Sequence, residues 1–552
     1  MIKDKIVQAL KQAANEAQQK GLLPPVNLPT ISVERPQDPT HGDYACSFPL
    51  KVARAAGTRP LDIAKAMVGL MGPLPEIEKP EVAPPGFINF TLKTSWIAEQ
   101  VDVILRQRSE YGALAMGGGK RVQLEFVSVN PTGPIHVGHG RGAVLGSALA
   151  KILSAAGYKV EKEYYINDAG GQIDVFRASL YARYQQALGL PAEVPANGYQ
   201  GDYLIELAKE IVAQKGNAFA SLPPEEAIRE LGYIGYEKMI TSIRTDLEQL
   251  GVEFDEWFSE KSLYDKGQYE RAMSLLRDGG HTAEREGAIW FASSALGEDK
   301  DNVLVRSSGV PTYFASDIAY HYNKFVERGF DKVINIWGSD HQGHVPRMKA
   351  AMGALGIDPG RLQIILTQMV TLKRGGAEIK ISKRTGELIT LREVVEEVGK
   401  DACRFFFLSR SADSQMEFDL ELAKEQSAEN PVYYVQYAHA RIAGILRTAK
   451  EKGVDYSHGN PSLLTTEAEL ELIRKMLQLP EVLELVVMNL EPAFLSYYAR
   501  DVATAFHNFY ERCRVVSQDT AVTAARLKLV EATKTVLARC LSLMDVSAPE
   551  RM

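Results

Sequence analysis

Apolar residues recur at helical spacing from Ile2 to Gln18 and again from Pro60 to Leu70, while Ile31-Ser32-Val33 and the alternating Phe87-Ile88-Asn89-Phe90-Thr91-Leu92 read as extended. A turn at His41-Gly42-Asp43-Tyr44 falls between them. Together they predict a small α/β domain over residues 1–110. Gly117-Gly118-Gly119-Lys120 then breaks the pattern, and alternation resumes from Val122 to Val127. From there to Glu425, strand-like runs at Lys159 to Ile166, Lys332 to Trp337 and Leu362 to Met369 alternate with helical ones. Such alternation predicts a parallel sheet covered by crossover helices, a domain spanning 120–425. Residues from about 189 to about 260 carry a helical pattern broken by Pro and Gly, which predicts an insertion in that core whose borders the pattern leaves open. After Asn430-Pro431 the period is helical throughout, over Val432 to Lys450, Leu470 to Leu477, Pro492 to Glu511 and Ala524 to Leu543. The last domain, 430–552, is predicted all-α.

Length and charge narrow this picture. With 552 residues and 45% hydrophobic content, the chain exceeds what one core supports, and about three or four domains are expected. No apolar run reaches the roughly 20 residues that cross a bilayer, so no membrane partner is expected. The formal net charge of -7 argues against indiscriminate coating of nucleic acid and confines any RNA contact to a local face. Cys46, Cys403, Cys513 and Cys540 lack the paired spacing of a zinc site or a disulfide framework. A reducing, cytoplasmic setting is expected.

The densest chemistry lies at Asn130-Pro131-Thr132-Gly133-Pro134-Ile135-His136-Val137-Gly138-His139, where a strand passes through a Pro/Gly turn into a helix start. That order sets free backbone N–H groups and the positive end of a helix dipole at the C-terminal edge of a sheet, where phosphates bind. His136 and His139 can donate to α-phosphate oxygens as charge develops, and Gly138 has no side chain to obstruct adenosine. A His-x-Gly-His match alone arises by chance in a chain this long at the order of a few percent. Far downstream, Lys380-Ile381-Ser382-Lys383-Arg384 stands between Gly375-Gly376 and Gly386, a basic run suited to polyphosphate. By itself it reads as a solvated charge cluster. The two in this order, one on each half of an α/β core, are much harder to obtain by chance.

The first motif resembles the HIGH box and the second the KMSKS box of the class I aminoacyl-tRNA synthetases. The wider wording, from Ser128 through Asn130 to His139, then Tyr164-Tyr165-Ile166-Asn167-Asp168, then Gly338-Ser339-Asp340-His341-Gln342-Gly343-His344, resembles the bacterial arginyl-tRNA synthetase family. His41-Gly42-Asp43-Tyr44 and Gly86-Phe87-Ile88-Asn89-Phe90 are similar to that family's N-terminal additional domain. Val435-Gln436-Tyr437-Ala438-His439 and the closing Pro549-Glu550-Arg551-Met552 are similar to its anticodon-binding domain.

The resemblance implies a Rossmann-type catalytic domain between an additional α/β domain and an all-α anticodon-binding domain. It implies arginine activation by ATP with Mg²⁺ and transfer of arginyl to tRNA(Arg); a monomer is expected, though the sequence does not give the oligomeric state. Lys380 and Lys383 would close over the pyrophosphate, with Ser382 beside them as an ATP contact. Ser128, Asn130 and His136 would hold the amino acid's ammonium and carboxylate, Asp317 would pair with the guanidinium and Tyr313 wall it, and Gln342 would lie among the arginine contacts at the active edge of the sheet; Tyr313 and Asp317 are four apart and so share a helix face. Which residue of Asp340 to His344 faces substrate stays open. Tyr437 and Met552 are the expected tRNA contacts. Family members activate arginine only with tRNA bound, which is carried over as an expectation. Ile381 and Arg384 depart from the consensus box but leave both lysines and Ser382 in place.

Three rivals stand beside this reading. One is a class I synthetase for a different amino acid, and another is an RNA-binding relative that has lost catalysis. The third is a zinc hydrolase built on His136, His139, His341 and His344. Neither His pair encloses the Glu of the metalloprotease motif, and no nearby cysteine completes a site, so no protein-bound metal is expected.

Overall fold

The strand Arg121–Glu125 is buried at every position but its first, as befits a strand covered on both faces. It forms the middle of a five-stranded parallel sheet, flanked by Lys332–Gly338 and Leu362–Thr367 on one side and by Lys159–Ile166 and Glu256–Ser259 on the other. Register pairs Lys332 with Val122 and Arg121 with Lys159. The chain runs outward from the central strand in one direction, then returns to build the opposite half. The two inner strands therefore diverge in their connections at a topological switch point, and the loops leaving Glu125 and Gly338 flank it, where ligands of such sheets bind.

The computed structural model describes residues 1–169, 171–379 and 389–552. The expectations placed on Lys380, Ser382 and Lys383 lie outside the described residues. Two compact units are present: Met1–Tyr111 with Ile442–Pro480 and Thr504–Val536, and Gly112–Arg441 with Glu481–Ala503 and Leu537–Met552. The second contains the parallel sheet.

In the first unit, helices Ile2–Gln19 and Pro60–Leu70 and strand Phe87–Leu92 lie where the apolar spacing predicts them. The expected extended run at Ile31 to Val33 is coil, ending in a single bridge between Glu34 and Ala45. Strands Tyr44–Cys46 and Ile77–Ala83 flank Phe87–Leu92 in an antiparallel sheet. Asp43 ties this sheet to a C-terminal helix: its carboxylate accepts from the Leu92 amide at 2.8 Å and from Arg474 Nε at 3.0 Å.

The second unit corrects one expectation. Glu256–Ser259, read as the end of an insertion over 189–260, pairs in parallel with Glu163 to Ile166 and is an edge strand of the core sheet. Helices Asp202–Lys215 and Pro224–Gln249 do pack as a group, but together with Gly171–Ala187, around Phe176, Leu180, Leu207 and Leu231. A helix continuous with the core thus supplies one wall of their hydrophobic centre. The C-terminal helices are Pro431–Glu451, Glu467–Met476, Leu479–Asn489, Ala493–Arg512 and Thr520–Leu543. Among the described residues no helix is long and apolar enough to cross a membrane.

Candidate active site

The turn after the central strand is built under backbone strain. Val127 and Ser128 have φ of 71° and 43°, the left-handed region that a β-branched residue rarely enters. Side chains hold it there. Ser128 Oγ donates to Glu125 Oε1 at 3.1 Å and accepts from the Tyr165 amide at 3.1 Å. The Tyr164 hydroxyl donates to the Val129 carbonyl at 2.7 Å and the Tyr203 hydroxyl to the Thr132 carbonyl at 2.5 Å. Asn130 Nδ2 donates to Gln172 Oε1 at 2.6 Å. The loop that leads into the helix is clamped from neighbouring elements.

The helix is Val137–Ala155, with His136 as its N-cap. His136 Nδ1 accepts from the Gly138 amide at 3.1 Å, so in the neutral ring the proton sits on Nε2. The His139 ring lies 3.7 Å from that of His136, centroid to centroid. A Cβ at Gly138 would meet His136 Cε1 at 2.9 Å, and one at Gly146 would enter the Phe126 ring at 2.3 Å. Glycine at the first position keeps the imidazole in place; at the second it lets the helix lie against the strand end. Ile389 and Leu391 pair with Val137 and Ile135 through hydrogen bonds of 3.2 and 2.8 Å.

On the other side of the switch point, Tyr313 and Asp317 lie on helix Tyr313–Tyr322. Tyr313 is half exposed. Asp317 Oδ2 lies 2.9 Å from His344 Nε2, so within the short helical segment Ser339–His344 the side chain that meets Asp317 is His344, while Gln342 is exposed.

Glu260, which the sequence did not single out, follows the edge strand and is 3% exposed. Its Oε2 is buried without a hydrogen-bond partner among the described residues. Burial raises its pKa, and the charges of Asp317 and Asp168 add to that. Two carboxylates that repel each other, one with an unsatisfied buried oxygen, form an acceptor set for a cation with several donors.

Beneath the site runs a buried polar chain. Helix Tyr313–Tyr322 passes into a π-helical turn at Asn323–Glu327, and the widened turn directs fully buried Lys324 inward. Lys324 Nζ donates to Glu125 Oε2 at 2.6 Å and Asn335 Oδ1 at 3.1 Å. Asn335 Nδ2 donates to His321 Nε2 at 2.7 Å, and His321 Nδ1 donates to the Asp317 carbonyl at 2.7 Å. His321 is thereby fixed neutral, and burial, with Lys324 adding, holds its pKa well below the usual 6.5. The unfolded chain binds a proton there that the folded chain refuses. Stability from this group is therefore complete above pH 6.5 and declines as pH falls below it, by up to about 1.4 kcal/mol per pH unit. His321→Gln should flatten that slope when urea unfolding is compared between pH 5 and 7; an unchanged slope would refute the assignment.

The expected tRNA contacts lie in the same unit. Tyr437 is partly exposed, with Tyr433 stacked on it at 6.0 Å and the Arg441 guanidinium 5.8 Å from its ring centre. The chain end is anchored before exposed Met552: Gln436 Nε2 donates to the Ser547 carbonyl at 3.0 Å, and His439 Nδ1 to that of Pro549 at 2.8 Å. Phe506 and Phe509 are buried, and Tyr498 nearly so.

Residues 100–443 match the family description "tRNA synthetases class I (R), catalytic domain". The chain belongs to the arginyl-tRNA synthetase family. Residues 1–92 match "Arginyl tRNA synthetase N terminal domain" and residues 435–552 "DALR anticodon binding domain". An arginine–tRNA ligase of Dehalococcoides mccartyi (strain BAV1) is 58% identical over 100% of this chain and 99% of its own. One from Caldanaerobacter subterraneus is 49% identical with the same coverage. Arginyl-tRNA synthetase of Thermus thermophilus, at 22% identity, shares the fold, with a TM-score of 0.78 over 100% of both chains.

Proposed function

We propose that the chain is an arginine–tRNA ligase, which joins L-arginine and ATP into arginyl-adenylate with release of pyrophosphate, then passes arginyl to the 3′ terminal ribose of tRNA(Arg) with release of AMP. The observation that carries the choice of amino acid is Glu260, whose buried Oε2 has no hydrogen-bond partner among the described residues and whose carboxylate feels the charge of Asp317. A guanidinium offers five donors in a plane and satisfies two carboxylates where an ammonium cannot reach both. Tyr313 would wall the pocket, with Gln342 at its rim. Ser128, Asn130 and His136, held by the strained turn, would receive the ammonium and carboxylate.

The arginine carboxylate would attack the α-phosphorus of ATP. At the positive end of helix Val137–Ala155, His136 and His139 would donate to the α-phosphate oxygens, and Gly138 would leave room for adenosine. Lys380 and Lys383, assigned from the sequence, would meet the leaving pyrophosphate, with Ser382 beside them as an ATP contact. Mg²⁺, bound through the phosphate oxygens and water, would screen the triphosphate. Tyr437 and Met552 would meet tRNA, by ring stacking and at the chain end. The cytoplasm is the proposed setting, and the four cysteines are buried free thiols.

ATP–pyrophosphate exchange with each amino acid, tRNA(Arg) present, tests the proposal. Exchange and charging are expected with arginine alone. Exchange driven by another amino acid would replace the assignment with a different class I specificity.

A further inference from the structure

Asp317 is a third exposed, while His344 beside it is 8% exposed by side chain. The imidazole is wedged between the rings of Phe314 and Trp337, at centroid distances of 5.4 and 5.3 Å. On its far side, Arg347 Nε donates to His344 Nδ1 at 2.5 Å. Arg347 is itself held, with its guanidinium carbon 5.2 Å from the Phe314 ring centre and Nη1 3.3 Å from Asn302 Oδ1. This outer end lines a polar cavity of about 420 Å³ together with Asp340 and His341.

The direction of these bonds follows from the donor inventory. A guanidinium nitrogen only donates, so His344 Nδ1 must be an acceptor, and the ring proton must sit on Nε2 and point at Asp317 Oδ2. We propose that Arg347 is a positioning residue for amino-acid selection: it locks His344 as the neutral Nε2–H tautomer, which fixes the Asp317 carboxylate and leaves its negative charge for the substrate guanidinium. With Oδ2 engaged, Asp317 offers Oδ1, and Glu260 Oε2 supplies the second acceptor. This rests on the assignment of Asp317 to the guanidinium.

Aminoacylation kinetics of the full chain test it. Arg347→Met is expected to raise KM for arginine about tenfold, a loss of about 1.4 kcal/mol, with KM for ATP unmoved. His344→Leu should do the same, and His344→Gln should recover most of that loss, because an amide accepts from Arg347 and donates to Asp317. In an Asp317→Asn background, Arg347→Met should add nothing further, an outcome that a merely structural role would not give. Should Arg347→Met fail to fold, the Leu and Gln variants of His344 carry the comparison. A large KM effect of Asp317→Asn with none from Arg347→Met or His344→Leu overturns the positioning role alone. No effect of Asp317→Asn overturns the guanidinium assignment and this inference with it.

Discussion

Replacing Lys324 with Met is expected to destabilise the unit that carries the parallel sheet by about 3–5 kcal/mol, the cost of stranding a buried charge. The ammonium is fully buried, and Glu125, its partner at 2.6 Å, is 7% exposed. Burial already raises the pKa of Glu125, while Lys324 pulls it down. Without the lysine, the carboxyl would move further up and take a proton. A carboxyl whose folded pKa exceeds the unfolded one contributes stability at low pH that is lost as pH rises through the folded value. The deficit should therefore shrink towards acid and be largest near neutrality. Lys324→Met with Glu125→Gln removes both charges and should restore much of the loss. Urea unfolding at several pH values reads this directly. A single variant that loses under about 1 kcal/mol would show that the pair is not what holds this region.

The pair also reaches the site. Glu125 uses its other oxygen to accept from Ser128 Oγ, so the anchor of the strained turn at Val127 and Ser128 is itself fixed by Lys324. Strain of this kind persists only where its surroundings enforce it. The variant should accordingly raise KM for arginine along with its loss of stability.

Local chemistry was legible and long-range chemistry was not. His136 announces itself because a strand, a Pro/Gly turn and a helix start follow one another in the chain, and the cap it forms is made with Gly138, two residues on. Tyr313 and Asp317 share a helix face by their spacing, but only the family resemblance marks them as residues of the site. Lys324 was invisible, because a lysine late in a helical run reads as a surface cation, and nothing in the spacing announces the π-helical turn that buries it. The strand Glu256–Ser259 is too short to show alternation, and its assignment to an insertion concealed Glu260 just after it. Arg141, close to the motif, is buried and spent on the carbonyls of Gln368, Ser411 and Ser414 at 3.1, 2.6 and 2.8 Å, contacts more than two hundred residues away in sequence. Arg347 and His344 are three apart, yet what they do depends on Asp317, which the fold supplies.

Glu260→Gln should cost the most in function: kcat/KM for arginine is expected to fall on the order of a hundredfold, about 3 kcal/mol, within the range for a buried charge-assisted hydrogen bond. The loss exceeds that of a neutral truncation, because the Gln amide turns donors towards a substrate that itself only donates. The wild type should also show an acid limb. Burial, reinforced by Asp317 and Asp168, raises the pKa of Glu260, so its neutral form persists above the ordinary carboxylate range and KM for arginine should rise as pH falls into that window. The Gln variant should lack this limb while retaining whatever pH dependence comes from other groups. KM for ATP should not follow, since Glu260 lies on the edge-strand side of the sheet, away from the helix start at His136. Steady-state aminoacylation across pH 5 to 8 separates these effects. If Glu260→Gln holds KM for arginine within about twofold of wild type, the second acceptor lies elsewhere, and Asp317 must grip the guanidinium without it.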